Sequence, residues 1–503
     1  MKRAVIVGGG IAGMTTALHL KDRAREVPGG LEVLVLEAGT EPGGNIRTER
    51  AEGFTIEQGP NGYLDNVPTT PALVRRLGLT DEVQRADEAS AKRFLFRNGC
   101  LHPVPTGPGS FLRSPLLSLG GRLRVLAEPL ARSKLQGKDE TIFEFASRRI
   151  GREAAEILVG SMVSGVFAGD IHELSLSSAF PKMSAMEDAH GSLVKAMIAR
   201  ALERRAVARA RRGGEGREGV GEGGAGGGGP AGPGGTLTSF RTGLDALPLA
   251  LARELGEALR CEARVARVRR AEGGGRGVGD GEAGAQGEEG YPRPWILELA
   301  GGRTVSSDVV VLAVPASRAA PMLSELDATV AGELGAFSTA GLAVVALGFE
   351  SESLGGPPDG FGFLVPRGAG VRILGCLWDS TIFPGRAPSG KVLLRAMVGG
   401  AHDPGAVKED PASLIEIVRR DLDTTMGLQG EPILSRVYRW PLGIGQYTVG
   451  HGDRIRSLED HLAGHRGLWV AGSSFYGISM NACIEKAGEQ VREILDLLAD
   501  AAE

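Results

Sequence analysis

Apolar and polar positions divide this chain into runs with the spacing of strands and helices. Ala4 to Val7 is an apolar run of strand length, and Met14 to Leu20 begins a helix behind it. Leu31-Glu32-Val33-Leu34-Val35-Leu36-Glu37 is a second strand, so the N-terminus predicts β-α-β. From about Thr69 to Arg212 the pattern is mainly helical. Beyond it, CEARVARVRRA and YPRPWILELA predict the two arms of a hairpin, and GLWVAGSSF followed by SMNACIEKAGEQVREILDLLA predicts a last strand and helix. That order predicts an α/β plus α protein: a nucleotide-binding body assembled from separated pieces, with other domains inserted between them.

Composition changes the picture at two places. RRGGEGREGVGEGGAGGGGPAGPGG at 211–235 and EGGGRGVGDGEAGAQGEEG at 272–290 break the pattern. In the first, 14 of the 23 residues from Gly213 to Gly235 are glycine, which leaves too little apolar surface to offset ordering entropy. Phosphate loops are short and sit between a strand and a helix; these segments do neither and are expected to be disordered surface insertions. The expected division is a nucleotide body from 1–68, 236–320 (carrying the insertion 272–290) and 441–503, a mainly helical part 69–212, a disordered insertion 213–235, and a substrate part 321–440.

Length and charge narrow the classes. At 503 residues the chain exceeds one small domain. A net charge of −4 with interspersed signs speaks against nucleic acid as a partner. Cys100, Cys261, Cys376 and Cys483 are far apart in sequence, indicating neither a zinc site nor a disulfide framework, and read as core thiols of a reducing, cytoplasmic compartment. No metal site is expected. The N-terminus lacks the form of a signal peptide, and no stretch approaches the 18 apolar residues of a membrane span.

The chemistry lies in the first loop. Gly8-Gly9-Gly10-Ile11-Ala12-Gly13 fits G-x-G-x-x-G between a strand and a helix. The first glycine permits the turn, the second lets backbone approach a pyrophosphate, and the third lets helix pack on strand, while the helix N-terminus offers free N–H groups. Glu37 ends the second strand 24 positions after Gly13, near the spacing of a carboxylate that accepts from a ribose diol. Then come Gly43-Gly44-Asn45-Ile46-Arg47-Thr48, with an arginine suited to a phosphate or carboxylate. This segment resembles the one that follows the ribose acid in FAD-dependent amine oxidases, and with Glu37 it favours FAD over a nicotinamide cofactor.

Further stretches narrow the resemblance. Glu57-Gln58-Gly59-Pro60-Asn61-Gly62, SMVSGVFAGD at 161–170, SFRTGLDALP at 239–248, GQYTVGH at 445–451, LWVAGSSFYG at 468–477 and Asn481-Ala482-Cys483-Ile484 are together similar to the protoporphyrinogen oxidase family. Carotenoid desaturases and amine oxidases share the N-terminal pieces without these later runs. The resemblance implies a Rossmann-like, p-hydroxybenzoate-hydroxylase-like FAD domain with substrate-binding and helical, membrane-associating domains inserted. It implies non-covalent FAD and oxidation of protoporphyrinogen IX by oxygen, with six electrons passing to three H2O2. Peripheral contact with the cytoplasmic face of a membrane follows, Ser110 to Leu119 being the expected interfacial segment; a homodimer is compatible with the sequence.

The resemblance carries over to named residues. Gly8 to Gly13, Glu37, Gly44, Asn45, Arg47, Gly59, Pro60, Asn61, Gly62, Val265, Trp440, Ile478, Ser479 and Met480 are the expected flavin contacts. Val265 as plain strand core and Trp440 as a packed aromatic remain competing readings. On the substrate side stand Arg93 for a propionate, Gly165, and Leu364 with Phe383 as clamps on a pyrrole ring; a solvated Arg93 and a Phe383 that merely anchors its loop are the alternatives. No Ser-His-Asp set, paired carboxylates or HExxH occurs, and no catalytic acid or base is expected. Three other outcomes stay open: a coproporphyrinogen III oxidase, whose substrate has four propionates in place of two, another FAD-dependent amine oxidase or desaturase, and a flavin-binding partner protein without turnover.

Overall fold

The computed structural model describes residues 1–131, 139–192, 194–195, 234–271 and 293–500. The Arg-rich run after Lys195 and nearly all of both Gly-rich insertions lie outside the described residues.

A five-stranded sheet forms the nucleotide body. Its order is Leu259–Arg260, Leu31–Leu36 (β2), Lys2–Val7 (β1), Val309–Leu312 and Leu468–Val470. All pairings are parallel. Counted along the chain this is the doubly wound order 3-2-1-4-5, which leaves a crevice at the carboxyl ends of the strands. Val309 to Leu312 are wholly buried, as a parallel strand covered on both faces requires.

Alternation along the strands serves two cores. Ala4, Ile6, Val33 and Val35 face the first helix, α1 (Ile11–Asp22), together with the helices Ala246–Leu255 and Met480–Asp500. Val5, Val7, Leu34 and Leu36 face the opposite layer, made of three antiparallel strands and three helices. Two of those strands, Val265–Arg270 and Trp295–Leu299, are the expected hairpin arms on either side of the second insertion.

A second sheet of seven strands stands beside the body. Its order is Leu434–Gly445, Thr339–Glu350, Lys391–Gly399, Ile373–Leu377, Gly362–Leu364, Phe94–Arg97 and Cys100–Pro103. Helix Pro411–Met426 packs on it through Leu414, Val418 and Leu422. The helical part rises next to its edge, where Arg152–Ala154, a π-helical turn Ala155–Val159 and Gly160–Phe167 follow one another directly.

Beside the helices of the mainly helical part 69–212, Phe94–Arg97 and Cys100–Pro103 complete the seven-stranded sheet around an Asn98-Gly99 turn, both residues at positive φ (50° and 79°). Two expected boundaries fall inside elements. The boundary at 320 falls inside helix Ala316–Leu323, whose Ala316, Ala319 and Leu323 pack on the nucleotide body. The boundary at 440 falls inside strand Leu434–Gly445, which must continue to keep its register with Thr339–Glu350. The cysteines also differ from a uniform core role: Cys376 and Cys483 are buried, Cys261 is half-buried and Cys100 is exposed on the hairpin.

Buried charge ties the hairpin of residues 48–57 to the part that carries the seven-stranded sheet. Glu57 meets Arg386 at 2.9 Å with both side chains 1% exposed. Glu57 also accepts from the Thr48 hydroxyl (2.6 Å) and the Leu244 N–H (2.8 Å), and Arg386 donates to the Ser239 hydroxyl and the Phe240 carbonyl. Asp379 and Arg395 form a second enclosed pair at 2.6 Å. Burial pushes the Glu57 carboxyl up and the Arg386 guanidinium down, while each partner's charge opposes the shift. Removing one member leaves an uncompensated charge, so Arg386→Met is expected to lower stability by about 3–5 kcal/mol. In thermal unfolding the double variant Glu57→Leu/Arg386→Met should lose less than the single one.

Candidate functional site

The carboxyl ends of β1 and β2 build the first part of the site. Gly8 turns at φ +112°, where a Cβ would stand 2.5 Å from the Ala313 carbonyl oxygen, so only glycine fits the turn. A Cβ on Gly13 would collide with the Gly8 carbonyl oxygen, so α1 packs against the loop only through a glycine. Gly10 has open space where its side chain would be. It caps α1 without a side-chain hydrogen bond, and the first turn of α1 holds no acidic residue. The N–H groups at this helix start are therefore available to an anion.

Glu37 is fixed beside the loop. One carboxylate oxygen accepts the Gly9 N–H and the other the Gly39 N–H, both at 2.7 Å, leaving further lone pairs for a diol. The second glycine pair folds against the first: Gly43 N–H donates to the Gly9 carbonyl at 2.8 Å and Gly43 bridges Gly10. Gly44 and Asn45 are exposed at this edge, and the Asn45 amide donates to the Gly443 carbonyl at 3.2 Å. Arg47 is half-buried, bonds the Gly44 carbonyl at 3.2 Å and meets no carboxylate among the described residues. Ala263 N–H donates to the Glu37 carbonyl, which brings the start of strand Val265–Arg270 alongside. The Val265 side chain itself is core, 3% exposed.

The crevice continues along residues 58–62. The Gln58 carbonyl accepts from the Trp440 indole and the Gly59 carbonyl from Arg395, each at 2.6 Å. Pro60 is exposed and Gly62 half-buried, and a Cβ on Gly62 would stand 2.5 Å from the Thr238 carbonyl oxygen. Both polar atoms of the Asn61 side-chain amide are enclosed without a hydrogen-bond partner. Such a group calls for a bound molecule or water. At the far end, Ser479 caps the C-terminal helix by accepting the Ala482 N–H at 3.1 Å. Met480 packs into the body, and Ile478 packs on the cluster that holds Val163 and Phe167 of the helical part.

A second group lies where helix Gly160–Phe167 meets strand Gly362–Leu364, an interior strand of the seven-stranded sheet. Leu364 is half-buried, and a Cβ on Gly165 would lie 2.5 Å from its side chain, so helix Gly160–Phe167 approaches the strand closely at that point. Phe361 N–H donates to the Lys92 carbonyl at 2.8 Å, and the Arg93 guanidinium stacks 5.2 Å above the Phe361 ring. Arg93 is exposed at this site, as the solvated alternative has it; partial burial lowers its pKa, though an arginine stays charged. Its neighbours Lys92, Arg97 and Arg367 all pair with carboxylates, whereas Arg93 meets none among the described residues. Phe383 corrects the expected clamp. It is 0% exposed, with Arg386 5.4 Å above its ring, and has no surface to offer a ligand.

The geometry thus presents a mononucleotide cradle, an enclosed Asn61 amide beside it, and an apolar contact near Arg93, which meets no carboxylate among the described residues. Residues 11–495 match the flavin-containing amine oxidoreductase family model. The chain belongs to that family. It is an FAD-dependent oxidoreductase, and the anion-ready helix start, the oriented Glu37 and the orphaned Asn61 amide fit that cofactor. Among its relatives, coproporphyrinogen III oxidase of Bacillus subtilis (strain 168) is 31% identical over 506 residues, covering 99% of this chain and 98% of the relative. Chloroplastic protoporphyrinogen oxidase of Oryza sativa subsp. japonica is 32% identical, covering 98% of this chain and 88% of the relative. A crystal structure from Exiguobacterium sp. 255-15 superposes with a TM-score of 0.77 at 27% identity, over 98% of both chains. Reduced UDP-galactopyranose mutase shares the fold, with a TM-score of 0.68 at 16% identity, over 99% of this chain and 96% of that one.

Several site residues escaped the sequence reading. Arg395 lies in no motif, and Gln446, inside the GQYTVGH run, and Phe361 were given no role, since each acts on a residue from a distant stretch. Glu37 offers a direct check on the cradle. Glu37→Gln keeps the shape but loses charge, and FAD binding is expected to weaken by about 1.5–3 kcal/mol, the range for hydrogen bonds to charged groups. Flavin fluorescence during dialysis measures the release.

Proposed function

We propose that this chain oxidises protoporphyrinogen IX to protoporphyrin IX, passing six electrons to three molecules of oxygen and releasing three molecules of hydrogen peroxide. Arg93 carries this reading: one cation without a carboxylate partner, beside the apolar contact of Leu364 with Gly165. A tetrapyrrole that is apolar except for a propionate edge matches such a site. Full-length similarity to protoporphyrinogen oxidases supports the same substrate class. Bound FAD supplies a two-electron acceptor.

The chain's own residues bind and orient. The backbone of Gly8 to Gly13, with the N–H groups of Ile11 and Ala12, takes the pyrophosphate, Glu37 the ribose and the backbone near Val265 the adenine. Gly44, Asn45 and Arg47 close over the phosphates, while Gly59 to Gly62, Trp440 and Ile478 to Met480 border the ring system, all without a covalent bond. Leu364 and Gly165 exclude water from the reacting face, and Arg93 holds a propionate. No side chain is assigned as acid or base, because the pyrrole nitrogens themselves supply electron density as hydrogen leaves a carbon.

The second reading, coproporphyrinogen III as substrate, is favoured by the Bacillus relative. Four propionates would call for more unpaired cations than Arg93 alone. Purified protein is therefore mixed aerobically with each porphyrinogen, following porphyrin fluorescence and peroxide. Faster turnover of protoporphyrinogen IX is expected; preference for coproporphyrinogen III assigns the second reading, and no turnover of either overturns both. Arg93→Ala should raise KM for protoporphyrinogen IX about tenfold or more, from loss of a charge-assisted hydrogen bond, with a smaller effect on kcat.

Peripheral membrane contact at the cytoplasmic face completes the proposal, through a surface that overlaps the expected segment only at Leu112 and Leu119. Leu116 and Leu117 of the 110–119 segment are buried. Leu119, Leu123 and Leu126 are exposed along one face of helix Leu119–Leu126, flanked by exposed Leu112 before it and Leu130, 87% exposed, after it. Among the described residues no helix is long and apolar enough to cross a membrane. In vesicle flotation, Leu123→Glu/Leu126→Glu is expected to lower partitioning about a hundredfold, from two leucines no longer buried.

A further inference from the structure

The GQYTVGH run at 445–451 is left without a role by the flavin and substrate assignments, yet it touches both sides of the site. Toward the helical part, the Gln446 amide donates to the Phe167 carbonyl at 2.8 Å, and the Tyr447 carbonyl accepts the Ser175 N–H at 2.8 Å. Val449 N–H donates to the Glu173 carbonyl, and the Phe167 ring meets Tyr447 edge-on with centroids 6.4 Å apart. These bonds hold the end of helix Gly160–Phe167, the helix whose Gly165 packs on Leu364.

Toward the nucleotide body, the same run holds the loop ahead of the C-terminal helix. The Tyr447 hydroxyl donates to the Ser473 carbonyl and accepts the Gly477 N–H, both at 2.7 Å. The His451 imidazole stacks on the Tyr447 ring (4.1 Å, 22°) and donates from Nε2 to the Phe475 carbonyl at 2.9 Å. Three backbone groups within Ser473 to Gly477 are thereby fixed by two side chains one helical turn apart. Burial pushes the Tyr447 pKa up and the His451 pKa down, so both rings stay neutral and neither is placed to exchange protons with a substrate.

We infer that Tyr447 is a positioning residue: its hydroxyl sets the loop Ser473–Gly477, and through it the N–H groups of residues 478–480, in register with the substrate-side helix. The inference rests on the flavin lying against residues 478–480. A neutral hydroxyl that both donates and accepts suits this task, because it satisfies a carbonyl and an N–H that turn away from regular structure. Displacing the loop moves the helix start that favours negative charge on a reduced ring.

Tyr447→Phe keeps the ring contacts and deletes both hydroxyl bonds. Photoreduction of the FAD-loaded protein against a reference dye needs no porphyrinogen, so it reads the loop independently of the substrate. The variant is expected to bind FAD and to show a shifted visible absorption band and a lower flavin potential; with protoporphyrinogen IX it should reduce its flavin about tenfold more slowly, short of the hundredfold that a full ångström of misplacement costs. Gln446→Ala, which loosens only the helix side, should raise KM without moving the potential. An unchanged band and potential in Tyr447→Phe, with full flavin content, overturns the inference. A band and potential unmoved also by Ser479→Pro, which alters the 478–480 contact itself, would instead overturn the flavin placement beneath it.

Discussion

Two enclosed ion pairs hold the halves of this molecule in register. Glu57–Arg386 joins the hairpin of residues 48–57 to the loop ahead of strand Lys391–Gly399, and Asp379–Arg395 lies within the seven-stranded part, each partner almost without solvent contact. Charges removed from water this far are tolerated only with good geometry and further hydrogen bonds. Glu57 accepts from Thr48 and Leu244, Arg386 keeps its Nε and Nη1 without hydrogen-bond partners among the described residues, and Arg395 crosses past Asp379 to the Gly59 carbonyl. The second contact matters most for chemistry, because Gly59 belongs to the segment that borders the crevice. A network that links the sheets also sets the height of the crevice wall.

Close backbone approach sets the other dimension of the site. Gly8 and Gly13 let the first strand, the loop and α1 pack with no side chain between them, and Gly165 lets the helical part come against Leu364. One approach leaves an anion-ready helix start, and the other leaves an apolar contact beside a cation. The two ends are joined through Gln446, Tyr447 and His451, so the helical part and the C-terminal helix are spaced by side chains common to both.

Much of this was legible in the residues. The strand-loop-helix context of Gly8 to Gly13, the acid ending the second strand and the order of later motifs pointed to a flavin domain in pieces, and local periodicity sufficed because each element's own sequence forms it. The Asn98-Gly99 turn was equally readable in principle, yet the helical reading of the middle passed over it. Phe383, judged from its motif, turned out to be enclosed beneath Arg386, since burial depends on neighbours from elsewhere in the chain.

The sequence by itself therefore determined the elements at both ends of the chain, the cofactor class and the family, because propensity, spacing and glycine chemistry act over a few residues. Tertiary structure alone decided where the domain boundaries fall, which cation is left unpaired and which hydroxyl holds the flavin-facing loop. Glu57 finds Arg386, and Tyr447 finds Gly477, only after the chain has closed two sheets. Contacts of that sequence separation carry no local signal, because the energy that selects them, burial of charge and of polar backbone, exists only once both partners leave water.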